Sequence, residues 1–407
     1  MARDQVELEQ AIGAVVDPEL DLSLHEMGAV RSVRARRRRA EVSLVLPVAA
    51  WPGQDDLRDA IRVAAETAGA DEIVVDVGVM DDAERAALRG RLRRDMGGPD
   101  DGAAGNGNGN GGPGGHGHSG EGHGGEGHGH GDEQATPRFL QAGSRTRLIG
   151  ISSGKGGVGK SSVTVNLAVA LARLGHRVGV LDADVYGFSV PKMLGADRDP
   201  IVLGDLVIPT TAHGVRVLSM GFFVPDDQPV IWRGPMLHKA IEQFLGDAYW
   251  GEPDLLLVDM PPGTGDVTLS LAQVMPRSEI LVVTTPQPAA QRVAQRSAYA
   301  ARKLRLSVRG VIENMSWFTG DDGTRYELFG RGGGQALADD LGVPLLGQLP
   351  LVPALRQGGD DGRPIVAAEP DSDVAMAFDA LARRLAALGP ARVYRRELAV
   401  RQSTPTD

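Results

Sequence analysis

Between residues 152 and 162 the chain reads SSGKGGVGKSS, and these residue types in this order suit the cradling of phosphate. Gly154 to Ser161 fit the spacing G-x-x-x-x-G-K-[ST]. Gly154, Gly156, Gly157 and Gly159, with Val158 among them, let backbone N–H groups turn toward phosphate oxygens, and a helix starting behind them adds its positive dipole end. Lys160 is placed to reach β- and γ-phosphates. The Ser161 hydroxyl, with Ser162 beside it, is placed to ligate Mg²⁺. ATP with Mg²⁺ is the implied ligand pair.

The loop holds a second lysine, Lys155. From within its own loop it is badly placed to reach the γ-phosphate that Lys160 serves. It could cross to the phosphates of a facing subunit and stabilise charge in trans, with the logic of an arginine finger. The plainer alternative is an exposed lysine neutralised by solvent.

Two further stretches supply carboxylates. LLLVDMPPGTGD places Asp259 at the end of an apolar run, where it would sit beside Mg²⁺ through water, with PPGTGD as a rigid turn near the γ-phosphate. VLDADVYGFSVP offers Asp182 and Asp184. Alternate residues of an extended chain share a side, so both can face the nucleotide. One would orient or deprotonate the attacking water. Asp184 is favoured for that task and Asp182 for the metal side, with the alternative that one of them only caps a turn.

The elements that must position these residues are readable from apolar patterning. RLIGISS reads as a strand before the loop, and KSSVTVNLAVALARLG as a helix with Leu167, Leu171 and Leu174 on one face and Gly175 near its end. RVGVLDAD, DLLLVDM, EILVVTTP, RGVIENM and VPLLGQLP are β-rich runs without alternation, as expected of strands covered on both faces. Helical stretches such as AAQRVAQRSAYAARKLRL lie between some of them. The expected fold is α/β, a doubly wound, mostly parallel sheet.

Other regions differ in kind. Residues 98–140 form a Gly-rich stretch without apolar periodicity, which reads as a disordered linker. It carries His116, His118, His123, His128 and His130, five of the nine histidines. These are either weak divalent-metal ligands or features of a soluble tether. Before it, residues 1–97 read as a small α/β domain, with helical spacing in ELEQAIGAVV and DLRDAIRVAAETAG and alternation in AEVSLVLPV and DEIVVDVGV. The basic run VRARRRR at 33–39 reads as a solvated turn before a strand. Residues 141–395 form the nucleotide domain, and 396–407 a polar tail.

Composition bounds the function. At 407 residues with a net charge of −10, the chain suits two domains and not a general nucleic-acid binder. No apolar run approaches the roughly 20 residues of a membrane helix. The start has no apolar stretch for a signal peptide, so the cytosol is the expected location. With 0 cysteines, disulfides, thiolate zinc sites and cysteine-ligated clusters are excluded.

Together GKGGVGKSS, DADVYGFSVPKMLG, WRGPMLHKAI, VDMPPGTGDVTLSLAQ, TTPQ, ENMSWF, FGRGGGQALADDLGVPLLGQLPL and GRPIV resemble the Mrp (ApbC) family of deviant-Walker-A ATPases, related to the MinD and ParA proteins. The resemblance runs from about residue 145 to 390. The N-terminal VVDPELDLSLHEMGAV resembles the small domain that precedes the ATPase in bacterial members and recurs in iron–sulfur assembly factors. The resemblance implies a homodimeric ATPase with two nucleotides between subunits, Lys155 matching the signature lysine that contacts phosphate across the dimer. Asn314 matches an asparagine that reads adenine. It also implies an iron–sulfur cluster carrier serving apoprotein clients.

The chain departs from that family in one respect that matters. Members follow ENMS with C-P-x-C, whereas here the stretch reads ENMSWFTGDDGTRYELFG, with Gly320 and Gly323 near the cysteine positions and Asp321 and Asp322 between. AAWPGQ stands where relatives of the small domain often carry Cys-Pro. No cluster ligand is therefore assigned. A MinD/ParA-like positioning ATPase and a histidine-tether metal-handling ATPase are the alternative functions.

Overall fold

The computed structural model describes residues 2–36, 38–97, 137–141, 143–185, 187–223, 234–263 and 266–389. The histidine segment, the polar tail, Thr264 and Gly265 of the PPGTGD turn, and the WR of WRGPMLHKAI lie outside the described residues. Two compact units emerge, one within Met1–Ser144 with Val202–Ile208 and Gly246–Gly251, the other within Arg145–Ile201, Pro209–Leu245 and Glu252–Asp407.

In the first unit, α1 (Ala2–Gly13), β1 (Val30–Arg36), β2 (Arg39–Leu46), α2 (Gln54–Thr67), β3 (Glu72–Val79) and α3 (Asp82–Asp95) follow in order. The sheet runs β1-β2-β3, with β1 antiparallel and β3 parallel to β2. Val42, Leu44 and Leu46 are buried at alternate positions, as are Leu57 and Ile61 of α2 and Leu8 and Ile12 of α1. Asp81 caps α3 in a reciprocal box with Glu84.

Two expectations change here. The basic run at 33–39 is mostly strand and hairpin, not a turn before a strand. Arg38 pairs with Asp71 at 2.6 Å and Arg39 with Glu72 at 3.2 Å, so cross-strand ion pairs answer part of the positive charge. The stretch read as linker also ends early, because Arg138–Leu140 form a 3₁₀ turn with Phe139 buried. In the AAWPGQ segment Trp51 is 3% exposed, and its Nε1 donates to the Asp17 carboxylate at 2.7 Å. Burial raises the Asp17 pKa, opposed by that bond and by the N–H groups of Leu20 and Glu19.

The second unit is built on an eight-stranded sheet. Its strands are β4 (Arg147–Ser153), β5 (Val178–Asp182), β6 (Thr210–Ala212), β7 (Val215–Ser219), β8 (Leu255–Asp259), β9 (Glu279–Thr284), β10 (Ser307–Glu313) and β11 (Leu345–Gln348). The order is β6-β7-β5-β8-β4-β9-β10-β11, parallel throughout except for the β6–β7 hairpin. The expected doubly wound, mostly parallel sheet is what forms. The β6–β7 edge carried no motif to announce it, since VRVLS is short and TTA is neither apolar nor alternating.

Among the helices of the unit are α4 (Lys160–Arg173), α5 (Val190–Leu194), α6 (Asp266–Val274), α7 (Pro288–Lys303), α8 (Gly333–Leu341) and α9 (Asp373–Ala387). Helix α4 has buried residues on every side, from Val163 to Leu171, because it lies between the sheet and other helices. Phe378, Leu381 and Leu385 of α9 belong to the same core cluster as Leu167 and Leu171. The apolar face of α9 is thus occupied within its own unit. Among the described residues no helix is long and apolar enough to cross a membrane.

Candidate functional site

Strand register brings the site together. Asp259, last in β8, is aligned with Asp182, last in β5, and with Ile151 of β4, two residues before that strand ends and the loop begins. All three chains leave the sheet at their carboxyl ends, beside one another. This is the crevice where open parallel sheets bind ligands.

The loop then approaches its surroundings closely. At Gly154 a Cβ would overlap the backbone of Val293 and Ala294 in α7, so no side chain fits there. Gly159 has φ +78°, and a Cβ on it would strike the Asn314 amide, so both conformation and space require glycine. From this turn α4 starts at Lys160. The loop and Asp184, Ser189, Met193 and Pro262 line a cavity of about 190 Å³.

Inside it the charged groups form one network. Lys160 Nζ is 2.6 Å from Asp259 Oδ2 and 3.5 Å from Asp184 Oδ2. Ser161 Oγ donates to the same Asp259 oxygen at 2.6 Å, and Thr164 Oγ1 lies 2.7 Å from Asp259 Oδ1. Asp259 has no exposure. A lysine, a serine hydroxyl and a strand-end carboxylate at a loop of N–H groups fit a nucleotide with its divalent cation. Such a cation takes hard oxygen ligands, which the Ser161 hydroxyl and, through water, the Asp259 carboxylate would offer.

Asp182 and Asp184 separate. Asp184 lines the cavity, whereas Asp182 is wholly buried and turned into the segment that follows it. Its Oδ1 accepts from Asp184 N at 3.2 Å, and its Oδ2 from Ser189 N at 3.2 Å, Val190 N at 3.3 Å and Ser219 Oγ at 3.1 Å. The strand ends at Asp182, so the alternation that would aim both side chains alike does not continue. Burial, then the Asp259 charge, pushes the Asp182 pKa up to about 7.

Asn314 follows β10 and is 2% exposed. Its Nδ2 donates to Val158 O at 2.9 Å, while Oδ1 has no hydrogen-bond partner among the described residues. Lys155 Nζ donates to Gln287 Oε1 at 3.1 Å. Reading the sequence missed Thr164 and Gln287. Thr164 had a signal, since it lies four residues after Lys160 and so on the same helical face. Gln287 had none beyond TTPQ.

The segment after Asn314 does not suit a cluster. Phe318–Thr319 pairs with Arg325–Tyr326 in a short hairpin, and Asp322 accepts from Thr324 N at 2.9 Å and Oγ1 at 2.8 Å. Those bonds hold the Asp322 carboxyl below its ordinary pKa. Among the described residues there is no group of three or more His, Cys, Asp or Glu able to hold a metal ion. With 0 cysteines, soft thiolate ligation of iron–sulfur cargo is not available on this chain.

A parallel sheet ending in a glycine loop, a lysine, a hydroxyl and a buried carboxylate defines a P-loop NTPase. Residues 144–386, more than half of the chain, match the family model described as NUBPL iron-transfer P-loop NTPase, and the chain belongs to that family. Residues 5–79 match a second model, described as iron–sulfur cluster assembly protein. Among similar curated proteins, the iron–sulfur cluster carrier protein of Mycobacterium tuberculosis H37Rv is 41% identical over 380 residues, covering 91% of this chain and 90% of that protein. The carrier protein of Deinococcus radiodurans is 51% identical over 239 residues, covering 58% and 68%. Among solved structures, a nucleotide-binding protein from Archaeoglobus fulgidus in complex with ADP is 33% identical with a TM-score of 0.49, covering 57% of this chain and 93% of that one. The septum site-determining protein MinD from Pyrococcus horikoshii, complexed with Mg-ADP, is 28% identical with a TM-score of 0.47, covering 60% and 97%.

Proposed function

We propose that this chain is an ATP-hydrolysing homodimeric switch that serves iron–sulfur cluster delivery without holding the cluster on its own thiolates. The observation that carries the reading is the Lys160–Asp259–Ser161 network at the mouth of the loop, with Lys155 beside it. The delivery role is supported by the carrier names of relatives that match over nine-tenths of the chain.

On binding, Lys160 leaves Asp259 for the β- and γ-phosphate oxygens, and Ser161, with Asp259 through water, would hold Mg²⁺. A cation held there would supply neutralisation of the phosphate charge. Asp184 orients the attacking water, and ATP and water give ADP and phosphate. Lys155 reaches the phosphates of a second copy, which makes turnover depend on dimerisation. Asn314, with its unpartnered Oδ1, reads the adenine edge. A cytoplasmic location and apoprotein clients belong to the same reading.

The test compares two lysine variants. Lys160→Ala is expected to lose ATP binding by isothermal titration calorimetry. Lys155→Ala is expected to keep monomer binding but lose ATP-dependent dimers in analytical ultracentrifugation, together with most turnover. Normal dimers and turnover in Lys155→Ala would sink the role in trans.

A further inference from the structure

The two cations of the phosphate loop sit in different company. Lys160 has two carboxylates within reach, Asp259 at 2.6 Å and Asp184 at 3.5 Å, so its charge is answered within its own subunit. Lys155 has a neutral amide oxygen instead, Gln287 Oε1 at 3.1 Å, and makes no ion pair with another described residue. Both Lys155 and Gln287 are half-buried, where a fixed contact suffers less competition from water than at an open surface.

Gln287 is well held. It occupies the N-cap position of α7 in extended conformation, with φ −63° and ψ 133°, and is followed by Pro288 in the first turn. Its side chain makes no capping bond to the helix, so the amide is available to Lys155. The N-terminus of α7 carries partial positive charge, which disfavours an ammonium beside it and favours an anion that replaces it. The amide therefore orients the ammonium without neutralising it.

We propose that Gln287 is a positioning residue for Lys155, keeping the lysine aimed and charged until the phosphate of a second copy takes it over. The inference rests on the role of Lys155 in trans proposed above. A neutral acceptor is what such a latch needs. A carboxylate in its place would make a charge-assisted bond roughly twice as strong and would retain the lysine on its own subunit.

Gln287→Glu tests this, being of equal length and opposite in effect. ATP affinity of the full-length variant is expected to stay within about twofold of wild type. ATP-dependent dimerisation and turnover should fall about tenfold, the size of one hydrogen bond to a charged group. The deficit relative to wild type should shrink between 50 mM and 500 mM salt, because a half-exposed ion pair is screened. A purely structural fault would not respond to salt in that way. Gln287→Ala, which removes the acceptor without adding charge, should lower turnover with ATP affinity kept and show no such salt dependence. Lys155→Ala is measured alongside. If Lys155→Ala is inactive while both Gln287 variants turn over normally, the latch is overturned and the role in trans stands. If Lys155→Ala itself turns over normally, that role fails and the latch with it. Loss of ATP affinity in both Gln287 variants would overturn the proposal by marking the residue as loop scaffold.

Discussion

Asp259 holds three donors at once, Lys160 Nζ, Ser161 Oγ and Thr164 Oγ1, in a position with no exposure to water. A buried carboxylate in that state is stable only while its partners remain. Thr164→Val keeps the shape of the side chain and removes one of them, leaving Oδ1 unanswered. The expected cost is about 1–3 kcal/mol, read by chemical denaturation of the nucleotide-binding unit. A variant as stable as wild type would show that the Thr164 hydroxyl is satisfied by its own helix alone. At this scale the sequence was most informative where one segment suffices. Lys160 and Ser161 sit in a contiguous spacing, and Asp259 ends a continuous apolar run. Thr164 was legible only as a neighbour of Lys160 on one helical face, and Gln287 was not legible, because their partners lie 95 and 132 residues away in the chain.

The element that most affects chemistry is the segment from Asp182 to α5. Asp182 gathers the N–H groups of Asp184, Ser189 and Val190, and so sets where Asp184 stands. Its folded pKa is raised to about 7 from the ordinary 3.8, which fixes the sign of its pH dependence. The stability it contributes is fully present below the unfolded value and is lost as pH rises to about 7. Unfolding free energies of wild type and Asp182→Asn between pH 4 and 8 are therefore expected to diverge. Wild type should lose ground steadily up to about pH 7 and hold a constant gap above it. A gap that stays flat from pH 4 to 7 would remove this assignment. Asp184→Asn, by contrast, should slow hydrolysis while sparing nucleotide binding, read by single-turnover kinetics beside equilibrium titration. Alternation along a strand suggested that both aspartates face the nucleotide, with a turn-capping role for one of them as the alternative. The alternative holds for Asp182, because the strand stops there and a turn obeys no two-residue period.

For the whole molecule, two units with separate cores imply two unfolding events. The Gly-rich composition of 98–136 offers neither unit apolar surface to bury. Deleting those residues is expected to leave both thermal transitions within about 2 °C by calorimetry, roughly the shift that half a kcal/mol gives in domains of this size. A larger fall in either would show that the segment contributes to folding.

The residue sequence alone determined the parallel α/β architecture, the nucleotide loop and the lack of thiolate ligands. Each depends on local spacing or on composition, which the chain displays without folding. Only the tertiary structure decided that Asp182 serves its turn while Asp184 faces the cavity, that Trp51 binds Asp17, and that Gln287 holds Lys155. Those facts depend on strand register and on where chains stop. Long-range packing sets both, and no short stretch of sequence encodes either.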